Sequence, residues 1–461
     1  MTCNDFSRRR FLRLGSGTLA GAGLALGANP MFTLAQAESG MLGDGAGTDY
    51  RALVCVYLDG GCDGFSLLVP TGSSEHAAFT RSRGALAVER GDLLGLDAQD
   101  GIGATAGLHR SAAALKPLFD EGRLAMIANI GNLVEPTTRE QYDNASVSLP
   151  VQLFSHSDQT IQWQQLQGAD RGSDGWGALA AGLLSREHAQ RDHLTSISLN
   201  GSNYWQAGAG QRPFSLRESG VIEYDGLDAG NGWQAPRREA FRRVLAHERS
   251  HLFADAYADL QARALRITGE LGAVLESEGG RVPEPPVDNP LALRLAMVAR
   301  VIAARSALGM RRQIFYVSME GFDVHDDQSR DQPLLFARLA EGLAWFQGAI
   351  DGLGESSNVT AFTASDFGRS LGSNGNGTDH GWGNHLMVMG SAVRGGEIHG
   401  ILPRLDIDGP DAVSRGRVLP TLAAAQYAAT LLRWVGLDES QLDEVLPTLG
   451  NFPSRDLGFL A

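Results

Sequence analysis

Ala52 to Leu58 reads Ala-Leu-Val-Cys-Val-Tyr-Leu, seven apolar residues without a polar interruption. A run of strand length with no polar alternation has no face to offer water, so it belongs in a sheet covered on both sides. No other feature constrains the fold so tightly, and it recurs. A helical stretch near Ser111–Glu121 leads into Leu124–Ile130, Leu291–Leu308 leads into Gln313–Ser318, and Pro333–Leu353 leads into Val359–Thr363. Alternating helices and buried strands predict an α/β fold, with a mostly parallel central sheet and helices on both faces. Ligands of such sheets sit beyond the carboxyl ends of the strands. Three of the runs end there in aspartate-bearing loops: Asp59-Gly-Gly-Cys-Asp-Gly64, Met319-Glu-Gly-Phe-Asp-Val-His325 and Ser365-Asp-Phe-Gly-Arg369.

Pro236–Glu278 reads as one long charged helix and Gly279–Asn289 as a Pro-rich linker. Residues from about 200 to 290 are therefore expected as a helical insertion in one α/β domain spanning 50–461. Ahead of it, residues 38–49 are Gly-rich and acidic, a linker. Ser7-Arg8-Arg9-Arg10-Phe11-Leu12-Arg13 matches the twin-arginine export motif. A weakly apolar Gly/Ala stretch and the small-x-small site Ala35-Gln36-Ala37 follow it. Residues 1–37 are expected to be a signal peptide, read by the twin-arginine translocon and removed to leave a periplasmic or secreted protein. The glycines, Asn29 and Pro30 make this stretch poor for a stable membrane span. The net charge of −14 argues against a nucleic-acid partner, which would require a basic face. Three cysteines are too few for a disulfide scaffold. Cys55 reads as core, and Cys62 as a ligand or, preferably, a small loop residue.

The strand ends collect an unusual set of side chains. Asp59 follows the first run; Asp323, His325, Asp326 and Asp327 follow another; Asp366 follows a third. Asp379, His380 and His385 lie in the glycine-rich loop beyond it. Carboxylates and imidazoles gathered without matching basic residues repel one another unless a cation neutralises them. Mixed oxygen and nitrogen ligation suits zinc, manganese or another divalent ion. Asp63, Asp326 and Asp379 also read as turn formers, because aspartate accepts backbone N–H bonds in Gly-rich turns.

A second pattern competes. His247-Glu-Arg-Ser-His251 fits the helical zinc-peptidase motif, with Glu248 as base and Glu270 as a third ligand. Against it, Arg249 would put a charge beside the metal, and the motif lies in the insertion, away from the strand ends.

The segments Leu58-Asp-Gly-Gly-Cys-Asp-Gly64, Gly321-Phe-Asp-Val-His-Asp-Asp-Gln328, Ser365-Asp-Phe-Gly-Arg369 and Gly377-Thr-Asp-His-Gly-Trp-Gly-Asn-His385 resemble the family called domain of unknown function 1501. So does the tail Pro420–Pro453, with Trp434 and Asn451-Phe-Pro453. That family is grouped with the alkaline phosphatase and sulfatase superfamily. The resemblance implies a metal-dependent hydrolase of phosphate or sulfate esters, small or polysaccharide, with one or two ions of zinc, manganese, magnesium or calcium. By the same resemblance Asp59 matches the first metal aspartate, and Asp323 with His325 an Asp/His pair in which Asp327 can substitute. Asp366 falls where an Asp-His pair is expected, but Phe367 replaces the histidine. Asp379-His380 then supplies that pair, or one site is depleted, and His385 or His380 is the last ligand. Ser155, in Phe154-Ser-His-Ser-Asp158 before a helix, is either the nucleophile or only an N-cap. His156 assists it or ligates. Arg369 binds the anionic ester or pairs with a neighbouring carboxylate. The alternative is a secreted protein that keeps this fold for binding or assembly without catalysis.

Overall fold

The structure is a computed structural model that describes residues 49–461, apart from 170–171, 188–191, 223–225, 228–231, 233 and 248–250. The expected signal peptide and all but the last residue of the 38–49 linker lie outside the described residues. The central sheet is built on β1 (Arg51–Leu58), β2 (Leu124–Gly131), β3 (Arg312–Met319), β4 (Val359–Ser365) and β5 (Asn384–Met389). Its spatial order is β2-β5-β4-β1-β3, continued by Ser196–Ser198, Phe214–Arg217 and Gly220–Val221. β1 pairs in parallel with β3 and β4, and Ser196–Ser198 pairs in parallel with β3. Ile398–His399 and Leu422–Ala423 add parallel pairs to β2. The mostly parallel α/β sheet expected from the apolar runs is therefore present.

One strand differs from that expectation. His385, expected in the glycine-rich loop, lies instead on β5, which runs antiparallel to both β2 and β4. Leu386-Met-Val-Met389 is a short apolar run suited to a buried strand, but it opens on the polar pair Asn384-His385 and gains its place by filling the gap between two formed strands.

Alternation within β1 shows why its run has no polar position. Ala52, Val54, Val56 and Leu58 join a core with α2 (Pro290–Ala303) and α3 (Gln328–Gly352). Leu53, Cys55 and Tyr57 join a second core on the opposite face. That core is closed by α1 (His156–Gln165), by Trp176–Glu187 and by α4 (Ala424–Val435). Cys55 and Cys62 are both buried free thiols, and Trp163, Trp176 and Trp205 are buried in the second core.

The insertion is not one helix. Ala235–Leu245 ends, and a new helix, Leu252–Glu278, starts after His251, whose extended backbone (φ −98°, ψ 116°) makes it the N-cap. The zinc-peptidase motif needs His247 and His251 one turn apart on a continuous helix. His247 lies beyond the first helix and His251 before the second, so that register is absent. Glu248 lies outside the described residues, and Glu270 pairs with Arg266 along its own helix.

Candidate metal centre

The loops after β1, β3 and β4 meet at the carboxyl ends of their strands. Gly60 (φ 112°) and Gly61 (φ 81°) hold backbone conformations that L side chains rarely adopt. A Cβ at Gly60 would strike the backbone of Asp323, and one at Gly61 the ring of Phe367. These two glycines let the β1 loop press directly on the other two.

Over this junction His156, Asp323, His325 and His380 place ligand atoms within 4.8 Å of one another. Asp323 Oδ1 is the hub: it lies 3.2 Å from His156 Nε2, 3.0 Å from His325 Nε2 and 3.6 Å from His380 Nε2. His325 Nε2 and His380 Nε2 are 2.8 Å apart. A tetrahedral shell with zinc–nitrogen bonds of about 2.0–2.1 Å has ligand–ligand edges of roughly 3.3 Å, close to these separations.

The outer nitrogens fix which atoms of two rings carry a proton. His380 Nδ1 lies 2.7 Å from the Phe154 carbonyl, which can only accept, so Nδ1 carries the proton. His156 Nδ1 lies 2.8 Å from Asp366 Oδ2 in the same way. When these two rings are neutral, their inner Nε2 atoms are lone pairs, turned toward a carboxylate oxygen. His156 Nε2 is buried and makes no hydrogen bond despite its 3.2 Å approach to Asp323. One N–H from His325 cannot satisfy both lone pairs and the carboxylate, whereas a cation satisfies all of them. Imidazoles held from behind by a carboxylate or carbonyl are the usual environment of ligating histidine.

Surrounding groups hold this arrangement. Asp366 is buried and also accepts from the Tyr57 hydroxyl and from Gly60 N–H. Phe367 stacks on His380 (centroids 4.6 Å apart) and packs against His156 (4.7 Å). The residue that replaces an expected histidine is thus an aromatic brace for two others. Burial lowers the His156 pKa, but the Asp366 and Asp323 carboxylates outweigh it and hold the imidazole above its ordinary value. His380 is pulled below its ordinary value, by burial first and then by its neighbours His156, Arg369 and His325. Burial pushes Asp323 up, yet Arg369 and His156 hold its carboxyl below the usual range.

The sequence-derived candidates now separate. Asp323, His325 and His380 come together, and His156 joins them from the start of α1. Asp366 stands behind His156 rather than facing the cluster's centre. Asp379 stands behind His325, 3.6 Å from its Nδ1. Asp59 is exposed on the rim outside the group, its pKa raised by burial and by Asp366 and Glu320. Asp327 adopts a left-handed conformation at the N-cap of α3 and pairs with Arg330 at 3.0 Å, outside the group. Asp63 is no turn former only, since it is buried in an ion pair with Arg83. Among the described residues the three-histidine group is the one cluster of this kind. Arg369 is fully buried and closed: it donates to Asp323 Oδ1 (2.9 Å), to the Gly60 carbonyl (3.3 Å) and to Thr378 Oγ1 and O. It pairs with a carboxylate and has no free fork for a substrate.

Ser155 occupies the N-cap position of α1, but its side chain makes no capping bond. Its hydroxyl donates to Asp158 Oδ2 at 2.7 Å. Tyr57 was not singled out from sequence; its only signal is a polar tip two residues before Asp59 in an otherwise apolar run.

His385 is placed elsewhere. It lies on β5, only 2% exposed, with Nδ1 accepting from Asn129 N–H at 3.1 Å and its ring edge-on to Phe65. Burial pushes its pKa down to about 3. A depressed histidine pKa means that below about pH 6.5 the unfolded chain takes up a proton that the folded chain refuses. Stability is therefore present above that pH and lost as pH falls toward 3. Urea midpoints of the wild type are expected to drop between about pH 7 and pH 4, and His385→Gln, which keeps an acceptor for Asn129, to flatten that slope. Equal slopes in the two proteins would refute this.

Comparison with known proteins adds a family. The model described as Protein of unknown function (DUF1501) matches residues 50–443. No curated protein sequence matches the chain. Among solved structures, the PsFucS1 sulfatase from Pseudoalteromonas sp. aligns at 10% identity and TM-score 0.35, covering 89% of this chain and 72% of that one. The phosphonate monoester hydrolase SpPMH from Silicibacter pomeroyi aligns at 10% identity and TM-score 0.32, covering 84% and 74%. A mutant of the alkaline phosphatase PafA aligns at 13% identity and TM-score 0.28, covering 71% and 64%. Likenesses this distant carry no activity over to the present chain.

Proposed function

The chain belongs to the DUF1501 family, and from the site it carries we propose that it is a metal-dependent hydrolase of phosphate or sulfate esters. The observation that carries this reading is the convergence of three histidine Nε2 atoms on Asp323 Oδ1, with the outer nitrogens of His156 and His380 held from behind. His156, Asp323, His325 and His380 would hold one divalent ion, and a set of three nitrogens and one oxygen suits zinc, then manganese. Bound there, the ion supplies a Lewis-acid charge for an ester oxygen. The Asp323 side chain is 46% exposed, so the centre is open to a small ester or to one carried on a polysaccharide.

The attacking group is Ser155. It stands at the start of α1, where backbone N–H groups and the helix dipole favour negative charge. Its hydroxyl proton already points at Asp158. As the Ser155 Oγ–phosphorus (or –sulfur) bond forms, that proton passes to Asp158. The bond to the departing alkoxide breaks, and the alkoxide takes a proton from solvent. Water then cleaves the seryl ester, releasing phosphate or sulfate, and Asp158 returns its proton to the serine oxygen. Residues 1–37 are read as a twin-arginine signal peptide, so the exported protein begins at Glu38 and works in the periplasm or outside the cell.

The mature protein, its first residue checked by N-terminal sequencing, is expected to bind about one zinc or manganese per chain and to cleave an aryl phosphate or aryl sulfate. Ser155→Ala is expected to keep the metal and lose turnover by at least roughly a hundredfold. Absence of metal sinks the proposal. Metal without turnover of either ester favours the non-catalytic binding protein, and turnover retained in Ser155→Ala removes the serine from the reaction.

A further inference from the structure

Closure of Arg369 leaves the proposed ester without a cation for its anionic group, and one other arginine meets the requirement. Arg417 lies on the short ribbon formed by Ala412–Val413 and Arg417–Val418, after a turn in which Arg415 holds a left-handed φ of 63°. Strain of that kind in a non-glycine residue persists where the surroundings over-determine it, often at ligand sites. The Arg417 guanidinium carbon sits 3.8 Å from the Phe154 ring centroid, so the planar group is stacked and pre-oriented. Its Nε donates to the His380 carbonyl at 3.0 Å. The Phe154 carbonyl in turn accepts from His380 Nδ1. Arg417 is therefore fastened by one nitrogen to a candidate metal ligand, His380, and by one face to Phe154, whose carbonyl holds that ligand. Its terminal nitrogens, NH1 and NH2, meet no acceptor among the described residues. Arg369, by contrast, spends every nitrogen on the protein.

We propose that Arg417 binds the non-reacting oxygens of the substrate's tetrahedral oxyanion beside the metal centre, making the site selective for anionic over neutral esters. This rests on the metal-hydrolase reading, and the test separates the two. Metal-loaded wild type, Arg417→Gln and Arg417→Lys are titrated calorimetrically with inorganic phosphate and, separately, with inorganic sulfate, with metal content measured on the same samples. Wild type is expected to bind at least one of the two anions, and the one bound identifies the ester class. Arg417→Gln is expected to keep its metal and bind that anion roughly tenfold or more weakly. Arg417→Lys is expected to fall between, since it restores charge without the bidentate fork. Unchanged anion affinity in Arg417→Gln overturns the proposal, as does a metal-loaded wild type that binds neither anion. Loss of metal from Arg417→Gln also overturns it, because Arg417 would then serve His380 rather than the substrate. A wild type that takes up no metal defeats the hydrolase reading itself.

Discussion

Asp323→Asn is expected to release the metal and to lower ester turnover on the order of a thousandfold, since a catalytic ion supplies several kcal/mol of transition-state stabilisation. Asparagine is the informative replacement. It keeps an oxygen that can accept from Arg369 NH1 and keeps the volume against Gly60, while removing the charge on which three Nε2 atoms converge. The variant is expected to unfold at nearly the wild-type temperature in the absence of metal, and to lose the metal-induced rise in that temperature that binding to the native state alone produces. Metal titration followed by calorimetry checks both. Undiminished metal affinity in Asp323→Asn would show that the four residues are not a ligand set.

The second large effect is on stability. Arg369→Ala is expected to cost about 3 kcal/mol, because each buried carbonyl left without its donor costs about 1–3 kcal/mol, while the pair with the partly exposed Asp323 supplies the smaller share. The deletion leaves the Gly60 and Thr378 carbonyls without their donor inside a closed junction. Urea unfolding of the metal-free protein gives the measurement. A variant that folds as stably as wild type and only raises KM for the ester would return Arg369 to the substrate-binding role its place in the sequence suggested.

The contrast between Arg369 and Arg417 shows where reading the sequence stops. Arg369 follows Asp366 at a strand end, so its position along the chain advertised it. Arg417 lies in no recognisable motif and gains its place from a ring and a carbonyl contributed by residues 154 and 380. The same holds for the histidines. Four candidates were visible at the start of α1 and in two strand-end loops, and three of them, His156, His325 and His380, converge. His385 does not, because β5 takes its backbone into the sheet and buries the ring beside Phe65. Asn384-His385 is itself polar, and only the apolar Leu386–Met389 that follows it announces the strand. The helical break before Leu252, which dissolves the H-E-x-x-H register, was hidden in a stretch whose composition suits a continuous helix.

The α/β architecture, the covering of β1 on both faces and the loops that would carry chemistry were determined by the sequence alone. They follow from runs of apolar residues whose burial is local and roughly proportional to area. Which donors share a site was decided only in three dimensions. His156 and Asp366 are 210 residues apart in the chain and 2.8 Å apart in space. Their meeting depends on left-handed glycines at 60 and 61 and on the register of strands paired across the sheet. Ligand geometry tolerates errors of a few tenths of an ångström, and no pattern along a chain holds that precision; packed loops on paired strands do.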